Sequence, residues 1–265
     1  EVTYSPHDVI VPPFLSDTPE VRAELAQYYQ SVSRVDTGIG RVVEMLKENG
    51  KYENTLIIYI SDNGSAFPES KTTLYEPGMK LPCLIHSPAH QSRGTTCDAL
   101  INWADLAPTI LDICGVDYKP DDFHGRSFKD VMDREHAEGW DETYGSHTFH
   151  EVTMYYPMRV IRTRKYKFFW NIAHPLSYPH ASDLWISASW RSVEKYGLER
   201  FGARTIGAYL HRPRYELYDL EADPNEIDNL AEKPEYADLV NEFCEKMKAF
   251  QERTSDPWIV KWIHE

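Results

Sequence analysis

The sequence predicts an α/β fold: a mainly parallel sheet with flanking helices over residues 1–115, then a small α+β unit with an antiparallel sheet and a C-terminal helix over residues 116–265. Three observations carry this. Thr55-Leu56-Ile57-Ile58-Tyr59-Ile60 is a short, β-branched apolar run, the pattern of a strand buried on both faces of a parallel sheet. A long amphipathic helix precedes it, and a strand and a helix follow. Beyond residue 115 the pattern changes to two strands around Arg164-Lys165 and a closing amphipathic helix. Two parallel strands are too few for a free-standing layer, so more of the sheet is expected from residues outside this chain.

Residues 1–16 are proline-rich and apolar, which fits an extended segment lying on a surface. Asp17 or Thr18 then caps a helix, with Pro19 in its first turn and Glu20 three residues after Asp17 as in a capping box. Val21, Leu25, Tyr28, Val32, Val35, Ile39, Val42, Val43 and Leu46 recur at spacings of three and four, one buried stripe on a helix that stops at Asn49-Gly50. After the strand comes a loop over 61–80. Leu81–His86 is a second strand, placed at an edge or strand start by Pro82. Residues 101–111 read as a helix, and 156–163 with 166–171 as a hairpin. Arg159 and Arg162 fall on the solvated face of that hairpin. Tyr215–Leu220 is a third strand, and Pro234 opens the final helix through Tyr236, Leu239, Phe243, Met247 and Phe250.

The composition is that of an ordinary globular protein, with 42% hydrophobic residues. The balance of 42 acidic against 28 basic residues gives a net charge of −14, which argues against a nucleic-acid partner or a broad polyanion-binding surface. No apolar stretch is long enough to span a bilayer, so no membrane partner is expected. An opening Glu1 without a basic, apolar leader is expected of a processed or truncated product and sets no compartment. Cys83, Cys97, Cys114 and Cys244 form no Cys-x-x-Cys pair. Cys83 and Cys114 read as small buried hydrophobes, and disulfide pairing is not legible.

Chemistry concentrates where the first strand ends. Ligand sites of open α/β sheets lie just beyond the carboxyl ends of strands. Asp62 and Asn63 offer two hard oxygen donors there, suited to Ca²⁺ or Mg²⁺. The same Asp-Asn-Gly is also good turn chemistry, so the residues alone leave both readings standing. Lys71, in the following loop, is a cation placed for an anionic substrate, or simply a solvated lysine.

Several stretches together resemble the sulfatases of the alkaline-phosphatase superfamily. They are Asp36-Thr37-Gly38-Ile39-Gly40, Asn54–Ile58 with Ser61-Asp62-Asn63-Gly64, and the loop Lys71–Pro82 with Tyr75-Glu76 and Lys80. Pro77 stands in that loop where the family pattern has a glycine. Asp105 with Pro108-Thr109-Ile110-Leu111, and Glu216–Asp219 with Asp223-Pro224, complete the match. Gly145-Ser146 with His150-Glu151-Val152-Thr153-Met154, the opening Asp8–Phe14 and the closing Asp256-Pro257-Trp258 resemble the heparan N-sulfatases (N-sulfoglucosamine sulfohydrolases, or sulfamidases) within that family.

The resemblance implies the C-terminal part of a sulfatase-like α/β sandwich. It implies Asp62 and Asn63 as ligands of a catalytic Ca²⁺, Lys71 as the sulfate contact, and His150, Glu151 and Lys80 as residues near the sugar. His150 and Glu151 read equally well as a pair that organises a loop, and Lys80 as a structural residue paired with Glu76. Where the N-sulfatases usually carry arginine, Lys71 keeps the charge without the bidentate fork. Trp170, Trp185, Trp190 and Tyr209 are candidates for a sugar-stacking rim or for the core. The family nucleophile is a formylglycine made from Cys/Ser-x-Pro-x-Arg. No such motif is present; Ser177-Tyr178-Pro179-His180-Ala181 starts it but ends on Ala181 and reads as a turn. The nucleophile, the general acid and the remaining metal ligands are therefore expected in an N-terminal half, as a partner to this chain. The implied substrate is a sulfated sugar, with the N-sulfate of glucosamine first and O-sulfates, phosphonates or phosphodiesters as alternatives; by itself the chain would be catalytically incompetent. Through the family, the expected compartment is bacterial periplasm or secretion, or the lysosome in a eukaryote, and a homodimer stays open.

Overall fold

The computed structural model describes residues 2–90 and 94–264. In chain order the elements are α1 (Pro19–Glu48), β1 (Ile57–Ile60), α2 (Glu76–Met79), β2 (Cys83–His86), α3 (Leu106–Ile113), β3 (Glu142–His150), β4 (Met154–Thr163) and β5 (Tyr166–Asn171). There follow α4 (Ser182–Ile186), α5 (Ala188–Tyr196), β6 (Arg200–Phe201), β7 (Arg204–Thr205), α6 (Ile206–Leu210), β8 (Tyr215–Asp219) and α7 (Ala237–Thr254). The chain divides into two compact units: one takes the residues up to Pro88, His147–Tyr156 and His174–Arg212, the other Ala89–Ser146, Pro157–Ala173 and the residues from Pro213 on. Among the described residues no helix is long and apolar enough to cross a membrane.

In the first unit Thr18 takes the cap of α1, its Oγ1 accepting from the Val21 N–H at 3.2 Å, and Pro19 follows at the first turn. The start of α1 lies against α5. Glu24 accepts from the Ala188 and Ser189 N–H groups, both at 2.9 Å, and Glu20 pairs with Lys195. Only Val21, Leu25 and Ala26 of α1 are buried. The expected buried stripe is thus corrected beyond the second turn: Tyr28, Val32, Val35 and Val42 are exposed, because no described residue covers them.

The sheet of this unit also departs from expectation. β1 and β2 pair antiparallel, Ile57 opposite His86 and Ile60 opposite Cys83, and every pairing with a defined register among the described residues is antiparallel. The connection from Ser61 to Pro82 holds only the single turn of α2 rather than a crossover helix, so β2 returns beside β1 in the opposite direction.

The second unit contains the predicted hairpin, third strand and closing helix, with β3 as a further strand that was not expected. β3, β4, β5 and β8 lie side by side in that order. Ile161 faces Phe168, and Phe168 faces Leu217, so one face of the sheet presents Ile161, Phe168, Trp170 and Leu217 to Val240, Phe243 and Met247 of α7. Phe168 and Phe243 stack at 5.6 Å. On the opposite face Lys167 is fully enclosed and meets Glu226 at 3.0 Å. Arg159, expected on the solvated face, is instead buried against Asp256, Nε to Oδ2 at 2.6 Å and Nη2 to Oδ1 at 2.9 Å. The Asp256-Pro257-Trp258 ending folds back to receive it. Asp105 ties two loops to the start of α3, with Oδ2 accepting from the Asn102 N–H at 2.7 Å and Oδ1 from the Arg126 N–H at 2.8 Å. All four cysteines are free, and Cys114 is exposed rather than buried, because it sits just past the end of α3.

Candidate functional site

Asp62, Asn63, Lys71, Lys80, His150 and Glu151 all lie in the first unit, as do Trp185, Trp190 and Tyr209, whereas Trp170 lies in the second. The loop after β1 is a tight knot. Gly64 sits where a Cβ would come within 2.8 Å of the Pro77 carbonyl oxygen and 2.9 Å of the Gly78 Cα, and a Cβ on Gly78 would in turn fall 2.3 Å from the Thr73 carbonyl oxygen. The crossing of these two backbones fixes where Asp62 and Asn63 project. Gly64→Ala is expected to destabilise the protein by about 1–3 kcal/mol, read as a fall in the urea midpoint at unchanged slope; a midpoint equal to wild type would show that the crossing gives way freely.

Asp62 and Asn63 are both exposed at the end of β1. The Asn63 amide nitrogen donates to the Gly64 carbonyl at 2.8 Å, so the atom of this side chain left for a cation is Oδ1. Two oxygen donors thus stand at neighbouring positions, a donor set that fits a hard cation in type but supplies only part of the six to eight oxygens that Ca²⁺ takes. Among the described residues no group of three or more His, Cys, Asp or Glu side chains converges on a common point.

Further along the loop Glu69 and Thr72 adopt left-handed backbone conformations, φ 63° and 67°, on either side of Ser70 and Lys71. Buried contacts hold this strained stretch. The Glu69 carboxylate meets Arg204 at 3.3 Å, the Glu69 N–H donates to the Tyr209 hydroxyl at 3.2 Å, and the Tyr178 hydroxyl donates to the Thr72 carbonyl at 2.8 Å. Arg204 lies 3.9 Å over the Tyr75 ring, and Arg212 lies 3.6 Å over that of Tyr178. The Lys71 backbone N–H donates to the Ser65 carbonyl at 3.1 Å. Lys71 then extends its ammonium to Asp183 in α4, Nζ to Oδ2 at 2.5 Å.

The same short helix holds the second candidate group. Glu151, itself left-handed at φ 54°, accepts from the Ser182 N–H at 2.5 Å and from the Ser182 hydroxyl at 2.8 Å. Those two donors keep its carboxyl below the usual range. Burial pushes the Asp183 carboxyl up, but the Lys71 ammonium outweighs it and the group titrates below its ordinary value. His150, next to Glu151 in the chain, adds a smaller lowering to both carboxyls. Lys71 and Glu151, from separate stretches, are therefore held by neighbouring residues of α4, Asp183 and Ser182. Lys80 does not join them: it is exposed at the end of α2, its N–H donates to the Glu76 carbonyl at 2.8 Å, and its ammonium has no partner among the described residues.

Ser182, Asp183 and the Glu69–Arg204 pair escaped the sequence reading. Ser-Asp before Leu184-Trp185-Ile186 is a helix-start signal, and Gly197 in the left-handed conformation closes α5, so α4 and α5 were detectable in principle. Of the four candidate rim aromatics, Trp170, Trp190 and Tyr209 are core residues and Trp185 alone is exposed. Ser177 lies just beyond a turn, 3.4 Å from His211 Nδ1.

His180, wedged among Trp185, Trp190 and Tyr209, is driven by burial and then by the Arg212 charge down to about 4. In the unfolded chain it takes its proton near pH 6.5. Between those values the unfolded state binds the extra proton, so stability falls as pH drops from about 6.5 to about 4, by on the order of 3 kcal/mol. His180→Phe is expected to flatten that part of the pH–stability curve; an unchanged slope would place the proton uptake elsewhere.

A sulfatase family model matches residues 2–116, and a second, described as N-sulphoglucosamine sulphohydrolase, C-terminal, matches residues 69–178. The chain belongs to the sulfatase family. It is 36% identical to human N-sulphoglucosamine sulphohydrolase over 97% of its own length and 53% of that protein, and 29% identical to an N-acetylglucosamine-6-O-sulfatase of Bacteroides thetaiotaomicron over 88% of this chain and 36% of that one. A solved protein in complex with its substrate D-glucosamine-2-N,6-O-disulfate has the same fold, with a TM-score of 0.64 at 24% identity over 92% of this chain and 44% of its own. A phosphonate monoester hydrolase of Silicibacter pomeroyi also matches at 0.64, with 21% identity over 97% of this chain and 46% of its own. The chain thus spans about half the length, or less, of these relatives.

Proposed function

We propose that the protein to which this chain belongs is a Ca²⁺-dependent sulfatase that removes the N-linked sulfate from glucosamine in heparan-type glycans, and that this chain supplies the sugar-facing part of its site. The observation that carries the reading is that Lys71 and Glu151 are held by adjacent residues of α4, Asp183 and Ser182. An incoming sulfate takes the Lys71 ammonium over from Asp183. Asp183 then faces the sugar nitrogen, where it steadies the positive charge that nitrogen gains as the sulfate leaves. Glu151, oriented by Ser182, accepts from a sugar hydroxyl. Asp62 and the Asn63 Oδ1 would hold the Ca²⁺, which when bound draws negative charge from the sulfate oxygens. The name of the human relative supports the N-sulfate, and the match to a glucosamine-disulfate complex supports the sugar.

The formylglycine nucleophile, the general acid and the remaining Ca²⁺ ligands are assigned to an N-terminal half. The apolar exposed face of α1, together with exposed Leu84 of β2, is the surface that such a half would cover. A periplasmic or secreted location in a bacterium accords with this chemistry. The test is to assay the complete protein on glucosamine N-sulfate, on glucosamine 6-O-sulfate and on an aryl sulfate. Preferential release of the N-sulfate is expected, and turnover confined to O-sulfates would overturn the reading.

A further inference from the structure

The elbow where α4 passes into α5 forms an open depression of about 580 Å³ bordered by Trp185, Trp190, Arg191, Glu194 and Lys195, a volume in the range of small-molecule sites. Resting on the sugar reading above, we propose that this elbow is a saccharide subsite for an anionic sugar ring adjacent to the sulfated glucosamine, with Trp185 as the stacking face and Arg191 as the anion contact.

Four features converge here. First, Trp185 is 54% exposed, whereas Trp190 beside it is core. The two indoles are 6.2 Å apart at 34°, and Trp190 is itself backed by Phe201 and Tyr209, so the outer indole rests on a rigid base. An exposed indole on a rigid base is the usual platform for the apolar face of a sugar ring, since it offers large contact area at low entropic cost. Second, the Arg191 guanidinium has no ion-pair partner among the described residues, whereas Lys195 is engaged by Glu20. A free guanidinium matches a carboxylate or a sulfate in bidentate fashion. Third, His180 is only 7% exposed and neither ring nitrogen has a hydrogen-bond partner among the described residues, while its ring lies 4.1 Å from Trp190 and 5.7 Å from Trp185. Buried imidazole nitrogens are rarely left unmet, so a bridging water is called for behind Trp190, beneath the residues that line the elbow.

The fourth feature is position. Asp183, which holds Lys71, and Trp185 lie within one helical turn, a rise of at most about 5.4 Å. Their side chains leave the helix on different faces, so a glycan whose sulfate reaches Lys71 meets the elbow with the ring that passes over this turn.

The experiment is calorimetric titration of the complete protein, freed of Ca²⁺ so that it does not turn over, with glucosamine N-sulfate and with an N-sulfated uronic acid–glucosamine disaccharide. Trp185→Ala and Arg191→Ala are each expected to weaken the disaccharide by about tenfold or more while leaving the monosaccharide within about twofold. Trp185→Phe should restore most of the loss, and Lys71→Ala should weaken both ligands. An unchanged disaccharide affinity in Trp185→Ala would overturn the subsite. So would an equal loss for both ligands, or no preference of the wild type for the disaccharide, as expected if Trp185 is instead covered by another part of the protein. A Trp185-dependent preference seen with O-sulfated but not N-sulfated probes would keep the subsite and remove the N-sulfate assignment.

Discussion

Lys71→Ala is expected to lower kcat/KM of the complete protein for glucosamine N-sulfate by about 10²–10³-fold, the usual cost of removing one donor aimed at developing negative charge. The ammonium is held in place before substrate arrives, because the left-handed residues Glu69 and Thr72 flank it and Asp183 pairs with it. Lys71→Arg keeps the charge and adds a bidentate fork, and is expected to stay within about tenfold of wild type. Asp183→Asn removes the competing carboxylate, so inorganic sulfate should bind more tightly and inhibit at lower concentration. Steady-state kinetics with sulfate as inhibitor checks all three. Near-wild-type kcat/KM in Lys71→Ala would remove Lys71 from the site.

Arg204→Ala is expected to cost about 3–5 kcal/mol of folding stability, since it takes a guanidinium from beside a buried carboxylate. Glu69 and Arg204 are both nearly fully enclosed, and the guanidinium also stacks on Tyr75. Against a total stability of about 5–15 kcal/mol this is a large share. The loss would reach Lys71 as well, because the Glu69 conformation sets the course of the loop. Urea unfolding should show a lower midpoint at unchanged slope. The double variant Glu69→Met with Arg204→Met is expected to recover much of the loss, because replacing both charges by apolar groups removes the desolvation cost together with the attraction. A single-variant cost below about 1 kcal/mol would show that the pair is dispensable.

Much of the second unit was legible because local rules and tertiary packing agree there. Phe168 and Trp170 alternate with Lys167 and Phe169, and Phe243 and Met247 recur on one face of α7, so period and burial coincide. The first unit was harder. The stripe on α1 is real, but a stripe states only that a surface wants cover, and most of it finds none among the described residues. The run Ile57–Ile60 announced a strand without its partner's direction, which depends on the connection rather than on the strand. The candidates Asp62, Asn63 and Lys71 stood out through their place after that strand. Asp183 and Ser182 did not, because their importance lies in what they reach: Lys71 across 112 positions of sequence and Glu151 across 31. Arg159 was misplaced for the same reason, its partner Asp256 lying 97 residues away.

The most direct measurement is a crystal structure of the complete protein, freed of Ca²⁺, with glucosamine N-sulfate bound. The sulfate oxygens are expected within hydrogen-bond distance of Lys71 Nζ, with the Lys71–Asp183 pair opened and Glu151 still held by Ser182. A sugar bound elsewhere, with Lys71 still paired to Asp183, would contradict the account.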